Sequence, residues 1–189
     1  MTSASPSPSS SPAPTADLRF PIGPLQRAST LSPEARRTAI DAIAEAPAKL
    51  RTAVAGLDDA QLDTPYRPEG WTVRQLVHHV ADSHIHAFVR TRFALAEHDV
   101  TITPYEEKVW AELPDMRSMP VGVSLDLLDA LHARWVHVLR ATRADDFRRT
   151  IQHPENGSMT VDDLLSVYSW HGRHHTAHVT ALRERKGWS

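Results

Sequence analysis

The 189-residue chain contains no cysteine, which excludes disulfide bonds, thiolate zinc sites and a cysteine nucleophile together. This absence fits a reducing compartment. No run of about 18 apolar residues occurs, so no segment is expected to span a membrane. The formal net charge is −2 without any basic block, and therefore neither nucleic acid nor an anionic membrane surface is an expected partner.

Histidine, in contrast, is abundant, with twelve copies in the chain. Many of them fall into two short clusters, one near the middle of the chain and one close to its end. The clusters consist of His78, His79, His84 and His86, and of His171, His174, His175 and His178. Clustered histidines indicate metal binding more readily than scattered ones do.

The start of the chain differs in composition from the rest. Residues 1–16 contain only Ser, Pro, Ala and Thr after the first Met, and such a segment has no apolar face with which to pack. It also lacks the basic start and the apolar stretch of a secretory signal. We therefore predict a disordered leader over residues 1–18 and one folded domain over residues 19–189. An extended arm at the start of the domain carries three apolar anchors, Phe20, Ile22 and Leu25.

Four long segments repeat apolar residues at three- and four-residue steps, the period of an amphipathic helix. They begin at Ser32, at Thr72, near Ser124 and at Thr160, and Thr72 with Gln75 fits a capping box. Pro47 interrupts the first segment, and we expect a kink there because proline removes one backbone hydrogen bond. No strand-period run of useful length occurs. The chain is therefore predicted to be all-α, a four-helix bundle.

Residues 99–123 form a long connection between the second and third helices, with a short helix expected around residues 106–112. Loops of this length in compact domains are often functional. A connection this long also leaves the up-down-up-down order of a simple bundle open. Between the third and fourth helices, Asn156-Gly157 is a turn signal that is typical of a small hairpin.

The spacing of His171 and His175 suggests a metal site. On a helix, residues four apart lie on one face, about 5–6 Å apart at Cβ, and two imidazoles at that separation can hold one ion. His79, at the inward edge of the second helix, is the candidate third ligand. Three protein ligands leave a position for water, which is the catalytic rather than the structural pattern. The alternative is that all three are hydrogen-bonded core or surface histidines.

One carboxylate is a candidate for the chemistry beside such an ion. Asp82 follows His79 by three residues and is placed to move a proton or to orient a ligand. A surface carboxylate near arginines would need no such role, and both interpretations stay open. The protease motif H-E-x-x-H is absent, because residue 172 is glycine.

Several motifs resemble one known family. Residues 66–84 (YRPEGWTVRQLVHHVADSH) are similar to the YfiT branch of the DinB superfamily, and so are four later motifs in the same order. These are Pro104-Tyr105, residues 110–113, His153-Pro154 and residues 168–175. The resemblance implies a four-helix bundle, a cytoplasmic homodimer, and one divalent metal ion per chain. Matched position by position, its ligands are His79, His171 and His175, with zinc the first candidate metal and nickel the second.

The resemblance further implies an enzyme that acts on a small-molecule substrate. Members of the family are described as metal-dependent hydrolases, and some relatives are thiol S-transferases that use bacillithiol, mycothiol or glutathione. A metal site that activates a bound water or a low-molecular-weight thiol accounts for either activity. A non-catalytic metal-binding stress-response module is the competing class. A fourth protein ligand would favour that class, and without cysteine it would have to be His, Asp or Glu.

Overall fold

The structure is a computed structural model and describes residues 17–188. Of the leader predicted over residues 1–18, residues 1–16 lie outside the described residues. In chain order the elements are α1 (Pro33–Val54), α2 (Asp59–Leu62), α3 (Val73–Ala96), α4 (Glu107–Trp110), α5 (Pro114–Ser118), α6 (Val121–Ala141), a 3₁₀ turn (Ala144–Arg148), β1 (Thr150–His153), β2 (Gly157–Thr160) and α7 (Val161–Lys186). Four long helices dominate, which confirms the predicted all-α four-helix bundle.

The predicted helix starts rest on local capping. The Ser32 hydroxyl accepts from the backbone N–H of Ala35 at the start of α1. Thr72 begins α3 and Thr160 begins α7, each with a capping box. The third long helix begins at Val121, three residues before the predicted position, directly after Pro120. The fixed φ of a proline suits the residue that leads into a helix.

The first and last helices run parallel. Arg36 and Asp162, near the starts of α1 and α7, form an ion pair. Arg183, near the end of α7, donates to the carbonyl of Ala53, near the end of α1. The start of α1 therefore lies beside the start of α7, and the end of α1 beside the end of α7.

The second and third long helices are also parallel. His78 and Ser124 meet near the starts of α3 and α6, and the indole N–H of Trp135 donates to Thr91 farther along both helices. A 24-residue helix such as α3 is about 36 Å long, so the chain must return along the bundle before α6 begins. This return explains the long connection and shows that the order is not simply up-down-up-down.

Around the bundle, α1 packs on α6 and α7, and α3 packs on the same two helices. Helices α1 and α3 therefore occupy diagonal corners. The connection between α3 and α6 contains the predicted short helix, α4, and a second one, α5, that was not predicted. The predicted hairpin is confirmed, with Thr150 opposite Thr160 and Gly157 in the left-handed region at φ 68°.

The core consists of two apolar clusters with a polar layer between them. One cluster includes Ile43, Phe88, Trp135, Leu139 and Leu164. The other includes Leu50, Leu76, Val80, Leu128 and Val179. On α3, α6 and α7, seven histidines lie between or beside the residues of these clusters. We call them the histidine layer: His79, His84, His132, His171, His174, His175 and His178.

The N-terminal arm is held mainly by polar contacts. The indole N–H of Trp170 donates to the Gly23 carbonyl, and Arg27 pairs with Asp163 at 2.7 Å. Of the predicted anchors, Phe20 is 41% exposed and Ile22 is 42% exposed, so neither pins the arm, whereas Leu25 is half-buried. Within residues 17–188, no helix is both long and apolar enough to cross a membrane.

Candidate metal centre

Three histidines from two helices converge at one point of the histidine layer. Ring nitrogens of His79 on α3 and of His171 and His175 on α7 all lie within 4.8 Å of one another. The Nε2 atoms of His171 and His175 are 3.2 Å apart. The structure thus brings together the three residues that the sequence singled out as ligands.

Local sequence places these rings. His171 and His175 lie one helical turn apart on the same face of α7. Gly172 lets α7 approach α1 closely, since a Cβ at this position would meet the Cβ of Ala46 at 3.0 Å and Cε1 of His84 at 3.6 Å. The glycine that removes the protease motif therefore has a packing role here.

Burial keeps the three imidazoles uncharged. It lowers the pKa of His79 to about 4. Burial, with repulsion from the neighbouring histidines, lowers the pKa values of His171 and His175 well below their usual range. A neutral imidazole with a free lone pair is the form that binds a metal. The donor set therefore fits one divalent ion of the kind that imidazole prefers, such as zinc or nickel.

The described part of the chain supplies three protein ligands at this point. Across residues 17–188, the three histidines form a group that no Asp, Glu or further His joins. An ion held by three imidazoles keeps at least one position for another molecule, which is the pattern of catalytic sites.

The three histidines lie at the base of an open cleft of about 670 Å³. Two tryptophans line it, Trp71, whose ring centroid is 4.6 Å from that of His79, and Trp170, which stacks on His174 at 4.1 Å. Charges of both signs also line the cleft: Arg67, Glu69, Glu107, Lys108, Glu112 and Arg117. The cleft therefore offers space and polar groups for a small molecule directly beside the three imidazoles.

Asp82 is placed less favourably. It lies half-buried on α3, and burial together with the charge of Asp115 raises its pKa to about 6. It does not line the cleft. The structure thus gives Asp82 the pKa of a proton-transfer group without placing it at the site, and its role stays a prediction.

Apart from His84, the remaining histidines of the two clusters have polar or stacking partners other than the three candidate ligands. His174 and His178 approach each other at 3.0 Å between their Nε2 atoms. His86 stacks on Tyr105. His78 donates from Nε2 to the Met119 carbonyl and contacts Ser124 through Nδ1, so it is packed between α3 and the start of α6 and does not join the three candidate ligands.

Three tryptophans, Trp110, Trp135 and Trp170, differ in burial. Trp135 is fully buried. Trp110 and Trp170 are half-buried. Trp170 lines the cleft, and its indole N–H donates to the Gly23 carbonyl of the arm.

One member of the histidine layer, His132, was not identified as a site residue from the sequence. His132 on α6 is 2% exposed, and its Nε2 lies 2.7 Å from Nδ1 of His84. The helical period does predict that His132 is buried, because it follows the buried Leu128 by four residues and precedes the buried Trp135 by three.

Comparison with known proteins yields consistent matches. A model of the DinB superfamily matches residues 42–179. Two relatives, from Bacillus mycoides (strain KBAB4) and Bacillus cereus (strain B4264), are each 49% identical over 172 residues, which is 91% of this chain and 99% of theirs; both are named "Putative metal-dependent hydrolase". A solved structure of YfiT from Bacillus subtilis, described as a probable metal-dependent hydrolase with an unusual four-helix bundle topology, superposes with a TM-score of 0.88. It is 44% identical in sequence and covers 91% of this chain and 99% of YfiT.

Proposed function

Because the chain belongs to the DinB superfamily, we propose that it is a metal-dependent hydrolase whose reaction centre is formed by His79, His171 and His175. The observation that carries the proposal is the convergence of three neutral imidazoles within 4.8 Å at the base of an open cleft. Zinc is the first candidate metal and nickel the second, since imidazole suits both.

A bound ion of this kind supplies Lewis-acid chemistry, which lowers the pKa of a coordinated water or polarises a carbonyl group. The chain's own residues prepare the surroundings. The ring of Trp71 covers one side of His79, which limits solvent around the ring nitrogens. Arg67 and Glu107, which line the cleft, offer one charge of each sign to bind the polar groups of a substrate.

A thiol S-transferase is the second candidate. The chain has no cysteine, so a thiol reaction would need an external low-molecular-weight thiol. The cleft volume of about 670 Å³ lies within the range of small-molecule sites. Its mixed charges suit a molecule that carries an ammonium and a carboxylate group. The three-ligand set supports either enzyme over a non-catalytic module, which would favour a closed site.

Metal content tests the proposed ligands. Protein stripped of metal and reloaded with zinc is expected to bind about one ion per chain, and His79→Ala is expected to lose it. His78→Ala is the matched control, because His78 is the neighbouring buried residue of α3 but bonds to Ser124 and Met119 instead. Equal zinc content in the two variants would show that the ligand set is wrong.

Activity then separates the two chemistries. Reloaded protein is assayed against a panel of esters and amides in water, and against electrophiles with an added thiol. Turnover that needs the thiol supports the transferase, whereas turnover without it supports the hydrolase. Undiminished activity of His79→Ala would show that neither reaction depends on a metal ion held by His79. The homodimer and the cytoplasmic location stay predictions that rest on the resemblance.

A further inference from the structure

A line of hydrogen-bonded imidazoles leads from the proposed metal site into the bundle. Nδ1 of His171 lies 3.1 Å from Nε2 of His84. Nδ1 of His84 lies 2.7 Å from Nε2 of His132. Nδ1 of His132 lies 2.7 Å from the carbonyl oxygen of Ile43. The line therefore passes from α7 through α3 and α6 to α1 and touches all four long helices.

The last acceptor is free because of a proline. In a regular helix the N–H of residue 47 would donate to the carbonyl of residue 43. Residue 47 is Pro47, which lies inside α1 and has no N–H to donate. The carbonyl of Ile43 thus lacks its usual helical partner, and the imidazole of His132 takes that place.

The carbonyl also sets the direction of every bond in the line. A carbonyl oxygen can only accept, so His132 must carry its proton on Nδ1. A neutral imidazole has one N–H, so Nε2 of His132 accepts from Nδ1–H of His84. By the same rule, Nε2 of His84 accepts from Nδ1–H of His171. The lone pair of His171 is left on Nε2, the atom that faces His175.

The premise that these rings are neutral follows from their surroundings. His84 is fully buried and His132 is 2% exposed. Extra protons would also place like charges within hydrogen-bonding distance in a dry interior, where repulsion is strong.

We propose that His84 and His132 are positioning residues that hold His171 in its Nδ1–H tautomer and so keep its Nε2 lone pair available for the metal ion. The metal part rests on the proposed function, whereas the tautomer does not require a metal. His175 offers a contrast within the site, because its Nδ1 has no hydrogen-bond partner among the residues that the structure describes.

His132→Leu breaks the line at its inner end. The Nδ1–H of His84 then loses its acceptor. Moving its proton to Nε2 allows it to donate to His171 instead, which drives the His171 proton to Nε2. His132→Gln is the rescue variant, since an amide keeps an N–H donor for Ile43 and an oxygen acceptor for His84.

Thr91→Val is the matched control for lost packing and lost polar contact. It removes the buried hydrogen bond in which Trp135 donates to Thr91. That bond joins the same two helices, α3 and α6, outside the imidazole line. Valine keeps the shape of threonine, so the remaining core is preserved.

The decisive measurement is the ¹⁵N chemical shift of each ring nitrogen in the metal-free protein. We expect Nδ1–H at His132, His84 and His171 in the wild type, and Nδ1–H at His171 in Thr91→Val and His132→Gln. In His132→Leu we expect Nε2–H at His171. Nε2–H at His84 in the wild type would overturn the proposal even if His132→Leu does not fold, and so would an unchanged His171 in a folded His132→Leu.

Zinc affinity, measured by competition with a chelator, gives the second readout. Loss of a residue that orients a ligand typically costs about 10- to 100-fold, so His132→Leu should bind zinc that much more weakly. Thr91→Val and His132→Gln should stay near the wild type. Equal affinity of His132→Leu and Thr91→Val would overturn the positioning role. A wild type that shows the expected tautomers but binds no zinc would refute the proposed function and leave the tautomer inference intact.

Discussion

The histidine layer should make the metal-free protein sensitive to mild acid. His79 has its pKa lowered by burial from 6.5 to about 4 in the folded state. In the unfolded chain it titrates near 6.5. At a pH between these two pKa values, His79 is protonated in the unfolded chain and neutral in the folded protein. The free energy of unfolding therefore falls as the pH falls.

The size of the effect follows from the two pKa values. One pKa unit is worth about 1.4 kcal/mol, so His79 alone costs up to about 3 kcal/mol once the pH is below 4. About 2 kcal/mol of this is lost between pH 7.5 and pH 5. His174, whose pKa burial also lowers to about 4, acts in the same direction. This loss is a large fraction of the total free energy of unfolding of a domain, which is about 5–15 kcal/mol.

Urea denaturation of chelator-treated protein at pH 7.5 and pH 5 measures the difference directly. We expect a free energy of unfolding at least about 2 kcal/mol lower at pH 5. His79→Leu removes one of the groups and should reduce this difference, whereas His137→Gln, an exposed position on α6, should leave it as in the wild type. Equal stability of the wild type at both pH values would refute the conclusion that the layer is neutral by burial.

Two further perturbations test the fold around the site. Zinc at 100 times its dissociation constant should stabilise the protein by about 2.7 kcal/mol and raise the melting temperature by roughly 5–10 °C for a domain of this size; a chelator that leaves the melting temperature unchanged would show that no ion links α3 to α7. Arg36→Met should lower the free energy of unfolding by about 3–5 kcal/mol in urea, because it leaves the fully buried Asp162 without its guanidinium partner. A loss below about 1 kcal/mol would mean that the N–H of Leu31 suffices for this carboxylate.

Local signals predicted the helices but not their arrangement. Capping at Ser32, Thr72 and Thr160 depends on neighbours within three residues, so the sequence alone carries it. Whether α6 runs parallel to α3 depends on contacts such as that of His78 with Ser124, which are 46 residues apart. The length of the connection showed that a simple order was not required, and it could not select the actual one.

The same division holds at the metal centre. The spacing of His171 and His175 is a property of one helix, and a third inward histidine on another helix completed the set. The link from His84 to His132 joins two helices, and the apolar period of α6 predicts only that residue 132 is buried. Which buried group it meets follows from the packing of α6 between α1 and α3.

Two residues that weaken helices lie beside this layer. Inside a helix, proline costs about 3 kcal/mol and glycine about 1 kcal/mol relative to alanine, so neither Pro47 nor Gly172 is explained by helix stability. Pro47 leaves the carbonyl of Ile43 to His132, and Gly172 lets α7 approach α1 beside His84. Departures from good helix chemistry are expected at functional sites, and here both act on the imidazoles behind His171. In the sequence, Pro47 indicated only a bend in the helix. In the structure it also frees the carbonyl that accepts the hydrogen bond of His132, and so it acts on the site.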